Sequence, residues 1–144
     1  MTFISGETQL FPILGDPIAQ VRSPEFLTKI LHRREVNGIV PPMHVVPDKF
    51  QTVMKHLRSI KNVHGVVITI PHKIAALESC DLVSERAQFI GSVNIIRKLK
   101  DGRFYGDKVD GKGNLDGIIK EGFNVYRNRA LHICAGGAGS AVAF

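Results

Sequence analysis

Cysteine is scarce. Cys80 and Cys134 are too few for a disulfide framework, and no Cys-x-x-Cys pair is present to hold zinc. A reducing cytoplasm is the expected setting. Tryptophan is absent, and eight phenylalanines and two tyrosines make up the whole aromatic complement of the 144 residues. A platform for single-stranded nucleic acid interleaves aromatics with basic residues. Here the formal charge of +6 is spread along the chain, with LHRRE and KHLRSIKN as modest clusters. Nucleic acid is therefore not the expected partner; a small anionic ligand is, with the remaining charge as solvated surface. No apolar run approaches the roughly 20 residues a membrane-spanning helix needs. The start MTFISGETQL lacks the basic flank and apolar core of a secretory signal. The histidines have no His-x-x-x-His spacing, so no metal is expected. What remains is 44% apolar and 22% charged residues, the balance of an ordinary globular domain.

The pattern alternates short apolar runs with longer amphipathic ones. QLFPILG (9–15) predicts a strand entering a glycine turn. Residues 24–36 place Phe26, Leu27, Ile30 and Leu31 at helical spacing behind Ser23-Pro24 as N-cap and first helical residue. MHVVP (43–47) predicts a second strand, and Asp48 an N-cap for a helix whose apolar face is Phe50, Val53, Met54 and Leu57. GVVITIP (65–71) reads as a third strand buried on both faces. Residues 72–90 read as helical with a break near Asp81. SVNIIRKL and RFYG flank Asp101-Gly102, a strong hairpin signal. A helix is expected from Asp110 to Gly122, and ALHICA (130–135) as a further buried strand. The fold class implied is α/β: a mostly parallel sheet with helices on both faces and one hairpin.

In such sheets ligands bind at the carboxyl ends of the strands. Four polar groups stand at those ends: GDPIAQVRSP, TIPHK, GSVN and GDKVDG. Lys73 in the second group and Asp110 in the fourth are of the residue types that perform acid/base chemistry. A lysine at a strand-to-helix turn relays a proton to a bound hydroxyl, and a nearby carboxylate holds the ammonium in place. Both residues also suit plainer roles, an exposed first-turn lysine and a helix N-cap. Ser23 serves either as an N-cap or, beside free helix amides, as part of an anion site. Thr69 and Asn94 read equally as strand packing and a local turn bond. His72, between Pro71 and Lys73, is expected to be structural rather than the base.

In this order and spacing, the four groups resemble those of the shikimate and quinate dehydrogenase family, over about residues 9–144. The resemblance implies that Lys73 and Asp110 are the catalytic pair. It implies that Ser23, Thr69 and Asn94 bind a cyclic hydroxy acid, and that hydride passes to NADP or NAD. It also places residues 1–122 in the substrate domain and residues 123–144 at the truncated start of a dinucleotide-binding domain. There Gly136, Gly137, Ala138 and Gly139 would meet the cofactor. Cys134 stands where the first fingerprint glycine is expected.

The departures from the family pattern bear on the substrate. Val21 replaces the first of two serines, Val67 an asparagine, Lys108-Val109 an Asn-Thr pair, and Leu27-Thr28 a His-Asn pair. Losing a hydrogen-bond donor to a buried substrate group costs about 1–3 kcal/mol, enough to change preference. Lys108 is expected to compensate with a positive charge for a substrate carboxylate. The reading is an amino-terminal piece of an NAD(P)-linked dehydrogenase for shikimate, quinate or a relative, inactive alone and with a homodimer as its expected association. The alternative is a non-catalytic module that binds a shikimate-like acid.

Overall fold

The computed structural model describes residues 4–126, 129, 131–133, 136 and 138–143. Strand β1 (Gln9–Leu10) and strand β2 (Ile13–Gly15) divide the single strand expected over 9–15. Pro12 lies between them, and without an N–H it cannot continue a ladder. β1 pairs in parallel with β3 (Gly38–Ile39) as a separate two-stranded sheet. Between β2 and β3 runs helix α1 (Ser23–Arg33), with Pro24 in its first turn. Ser23 makes no side-chain cap there, contrary to expectation; Arg22 occupies the cap position. The apolar face read for this helix is only partly covered: Leu27 and Leu31 are half-buried, while Phe26 and Ile30 are exposed.

Strand β4 (Pro42–His44) is followed by a 3-10 turn, Pro47–Lys49, and helix α2 (Phe50–Ser59). That turn displaces the N-cap expected at Asp48, whose carboxylate lies 3.1 Å from Lys49 Nζ instead. The apolar stripe of α2 packs as expected, with Phe50, Met54 and Leu57 buried and Val53 against the core. Each such side chain contributes about 1.5–3 kcal/mol relative to exposure. Strand β5 (Gly65–Ile68) follows, and its near-continuous burial matches the β-branched run that encodes it.

Helix α3 (Ala75–Glu78), strand β6 (Leu82–Val83) and helix α4 (Glu85–Ile90) occupy the region read as one broken helix. The break falls at Asp81, as expected, and the two-residue β6 inside it is too short to show a period. Strands β7 (Ile95–Lys98) and β8 (Phe104–Asp107) form the hairpin around Asp101-Gly102. Helix α5 (Asp110–Lys120) and the short helix α6 (Gly139–Ala143) complete the order.

The main sheet runs β4-β2-β5-β7-β8-β6. Three of its five pairings are parallel, and the antiparallel ones flank β7. Leu14, Val66, Ile68, Ile96 and Phe104 from the sheet meet Phe50, Met54 and Leu57 from α2 in one core. Arg58 lays its guanidinium over the Phe104 ring at 4.6 Å, closing one side of that core with a cation on an aromatic face. The strand expected over 130–135 differs from what is found. Leu131, His132 and Ile133 are exposed and belong to no strand, and the rest of that stretch lies outside the described residues. A strand needs a ladder for its backbone groups, and none of the described strands pairs with these residues.

Candidate active site

Strands β2 and β5 are parallel neighbours, so their carboxyl ends open side by side. Thr69, the residue after β5, bonds its backbone N–H to the Leu14 carbonyl at 2.9 Å. Gly15 makes this approach possible: a Cβ there would stand 2.4 Å from Thr69 Cγ2. The chain then turns through Pro71, His72 and Lys73. His72 is buried, stacked on Phe50 with ring centroids 4.5 Å apart, and its Nε2 donates to the Val45 carbonyl at 2.7 Å. That anchoring gives His72 a structural role, as the sequence implied. It also fixes the backbone of Lys73, whose carbonyl accepts the Val93 N–H at 2.8 Å.

Lys73 and Asp110, 37 positions apart, meet: Lys73 Nζ lies 2.6 Å from Asp110 Oδ2. Asp110 opens α5 but does not cap it; its carboxylate turns to side chains instead. Asn94 Nδ2 donates to Asp110 Oδ1 at 2.6 Å, and Asn94 Oδ1 accepts the Val109 N–H at 2.8 Å. Lys108 Nζ donates to the same Oδ2 as Lys73, at 2.8 Å. The Lys108 side chain has 0% exposure, with its ammonium on Asp110. Burial works to raise the Asp110 carboxyl, but hydrogen bonds from Lys108 and Lys73 outweigh it and hold the group below the usual carboxylate range. Desolvation pulls the Lys108 ammonium below the usual lysine range, against the opposing hold of Asp110.

A second cluster supports the first and was not foreseen. Asp107 accepts from Ser84 Oγ at 2.5 Å and from Arg86 Nε at 2.7 Å, with the second Arg86 nitrogen on its other oxygen. It also accepts the Lys108 N–H at 2.7 Å, which fixes the turn that delivers Lys108 and Asp110. The Arg86 fork is the largest influence lowering the Asp107 carboxyl, to about 2. Asp107 was legible inside GDKVDG, but its partners come from beyond β6, the strand too short to read.

Lys73 also borders a hollow of about 320 Å³ with Ile70, Pro71, Ile74, Gly136, Ala138 and Gly139. The structure thus brings the glycine segment to Lys73; Gly137 lies outside the described residues. Gly111 in α5 lets α6 settle there, since a Cβ at 111 would stand 1.6 Å from the Ala141 carbonyl oxygen. Ser23 lies half-buried at the start of α1, and Thr69 half-buried beside Gly15. Among the described residues, no group of three His, Cys, Asp or Glu side chains is placed to hold a metal ion. No helix among them is long and apolar enough to cross a membrane.

A lysine–aspartate pair thus lies at the strand ends of an α/β sheet, the place where such sheets bind ligands. Residues 13–96 match the family described as the shikimate dehydrogenase substrate binding domain, and the chain belongs to that family. Shikimate dehydrogenase (NADP(+)) of Rhodospirillum rubrum is 33% identical over 141 residues, covering 96% of this chain and 50% of the relative. The solved structure of Thermus thermophilus shikimate 5-dehydrogenase in complex with shikimate superposes with a TM-score of 0.86 at 33% identity. It covers 94% of this chain and 51% of that one. A second structure of that enzyme, with NADP(H) and shikimate, gives the same TM-score and identity over 94% of this chain and 50% of that one. The chain spans about half the length of the curated relatives it matches.

Proposed function

We propose that this chain supplies the substrate cradle and the acid/base pair of a shikimate dehydrogenase, an oxidoreductase acting on shikimate or a related cyclic hydroxy acid with NADP(H). The observation that carries the reading is the 2.6 Å contact between Lys73 Nζ and Asp110 Oδ2 at the strand ends. In the oxidation direction the ring hydroxyl gives its proton to Lys73 in its neutral form. The carbinol carbon gives up its hydrogen with the bonding pair, leaving a ketone. Asp110 steadies the ammonium so formed, and Asn94 and Lys108 keep the carboxylate oriented. In the reverse direction Lys73 returns the proton to the growing alkoxide.

NADP(H), when bound, supplies the acceptor or donor of that hydride. Gly136, Gly137, Ala138 and Gly139 are the residues proposed to meet it. Gly136 fits that role, with open space where a side chain would stand, and the segment borders the same hollow as Lys73. Thr69, Ser23 and Asn94 are proposed for the substrate's hydroxyls and carboxylate. Val21 and Val109 argue for a relative whose polar groups differ from those of shikimate. Exposed Phe123, Tyr126, Leu131 and Ile133 support association as a homodimer, and the scarcity of cysteine a cytoplasmic setting.

The test is calorimetric titration of shikimate and quinate into a full-length protein carrying this sequence, with NADP⁺ reduction assayed alongside. Binding together with turnover supports the dehydrogenase. Binding without turnover favours the ligand-binding module, and neither one removes both readings.

A further inference from the structure

The feature that the acid/base pair alone does not account for is the second lysine. A fully buried ammonium is costly unless it is paired, and Lys108 has Asp110 Oδ2 at 2.8 Å. That oxygen already serves Lys73 at 2.6 Å. The family resemblance puts an uncharged asparagine at this position, so the extra charge belongs to this chain's own site.

We propose that Lys108 is a positioning residue for the Lys73–Asp110 pair: its buried ammonium shares Asp110 Oδ2 with Lys73 and fixes the carboxylate beside which Lys73 exchanges a proton with the substrate hydroxyl. The proposal rests on the reading of Lys73 as the proton acceptor. One carboxylate facing a single ammonium holds that ammonium's proton firmly. With a second ammonium on the same oxygen, the carboxylate's pull is divided, and the two cations repel each other in a half-dry site. Asp110 is thereby kept ionised and in place beside Lys73, with both ammonium groups donating to Oδ2. When Lys73 is neutral, Lys108 still holds Asp110 through Oδ2, and the proton of the substrate hydroxyl goes to Lys73.

The other charged groups around Lys108 are already engaged. Asp107 is gripped by Arg86, and Lys112 sits 2.6 Å from Asp116. Arg86, Lys112 and Asp116 share with Lys108 a hollow of about 310 Å³ whose other walls include Ile90 and Leu115. Asp110 and Lys73 are therefore the charges that Lys108 acts on. Desolvation lowers the Lys108 ammonium, and Lys73 adds to that lowering, which fits two like charges pressed onto one acceptor.

Lys108→Met keeps the apolar stem and removes the charge. In the full-length protein, the acid limb of the pH–rate profile for alcohol oxidation should move up, because Asp110 loses one of the two donors that hold it ionised. Turnover at neutral pH should fall about tenfold, while KM for the hydroxy acid changes by less than about threefold. Lys108→Arg should recover most of the limb's position. Independently, the Asp110 carboxyl should titrate at higher pH in the Lys108→Met form of the 144-residue chain, followed by ¹³C NMR. A folded variant with both the limb and the Asp110 midpoint unmoved overturns the positioning role and leaves the dehydrogenase reading intact. Lys73→Ala with full turnover removes that reading, while the Asp110 midpoint still reports on Lys108. Should Lys108→Met fail to fold, the wild-type Lys108 Nζ resonance decides: it must follow the Asp110 titration, and indifference to it overturns the proposal.

Discussion

Asn94 and Asp110 are joined so that the amide is used at both ends: Nδ2 donates to the carboxylate at 2.6 Å while Oδ1 accepts the Val109 N–H at 2.8 Å. One side chain thus ties the strand-entry loop before β7 to the first residue of α5. It fixes the direction in which Asp110 Oδ2 faces the two lysines. Asn94→Ala leaves a backbone N–H and a carboxylate oxygen without their partner in a site where Asn94 is only 8% exposed. The expected loss is about 1–3 kcal/mol of unfolding free energy. Urea denaturation measures it, and a loss under about 0.5 kcal/mol would show that water replaces both bonds.

Lys73 carries the chemical claim. Lys73→Ala in a full-length protein should lower turnover by about 10²–10⁴-fold, the usual contribution of one acid/base partner. The fold should survive, because the backbone of this turn is held through His72 and the Val93 N–H rather than through the ammonium. Matching circular dichroism with a rate drop below about threefold would place Lys73 outside the mechanism.

Asp107 makes stability depend on acid. Its carboxyl is held at about 2 in the fold against an ordinary 3.8, chiefly by the Arg86 fork, with Ser84 and the Lys108 N–H adding to it. A depressed carboxyl stabilises the fold above its unfolded value, and that contribution disappears as pH falls through the folded value. The window is therefore pH 4 down to pH 2. About 2 kcal/mol is at stake, and Asp107→Asn should flatten this part of the curve. Thermal melts of both forms across that range check it. Parallel slopes would assign the acid loss to other groups.

The legible parts of this chain were those with a long enough period or a local rule. The β-branched run of β5, the stripe Phe50–Val53–Met54–Leu57 and the Asp101-Gly102 hairpin each signal themselves within a few residues. So did the strand-end placement of Lys73 and Asp110, because α/β sheets put ligands at those ends. The capping role of Asp48 was misread because a 3-10 turn, Pro47–Lys49, precedes α2, and that of Ser23 because α1 starts one residue earlier, with Arg22 at the cap position. The direction of Lys108 was invisible, since only the three-dimensional turn held by Asp107 shows that its ammonium faces inward. The Ser84–Arg86–Asp107 cluster depends on β6 lying beside β8, and a two-residue strand leaves no pattern to read.

Gly111 offers the last check, on how the glycine segment reaches Lys73. The segment borders the lysine's hollow through Gly136, Ala138 and Gly139, and α6 leans on α5 where Gly111 meets Ala141. A methyl group at 111 would sit 1.6 Å from a backbone oxygen, an obstacle that no side-chain rotation relieves. Gly111→Ala must therefore push α6 away, although alanine favours the helical backbone of α5 itself by about 1 kcal/mol. The two effects separate in experiment. Amide exchange at 139–143 should speed up by about tenfold or more, while the exchange-protected core strands β2 and β5 stay as they were. Unchanged protection at 139–143 would mean that α6 does not rest on Gly111, and the link between the glycine segment and Lys73 would lose its support.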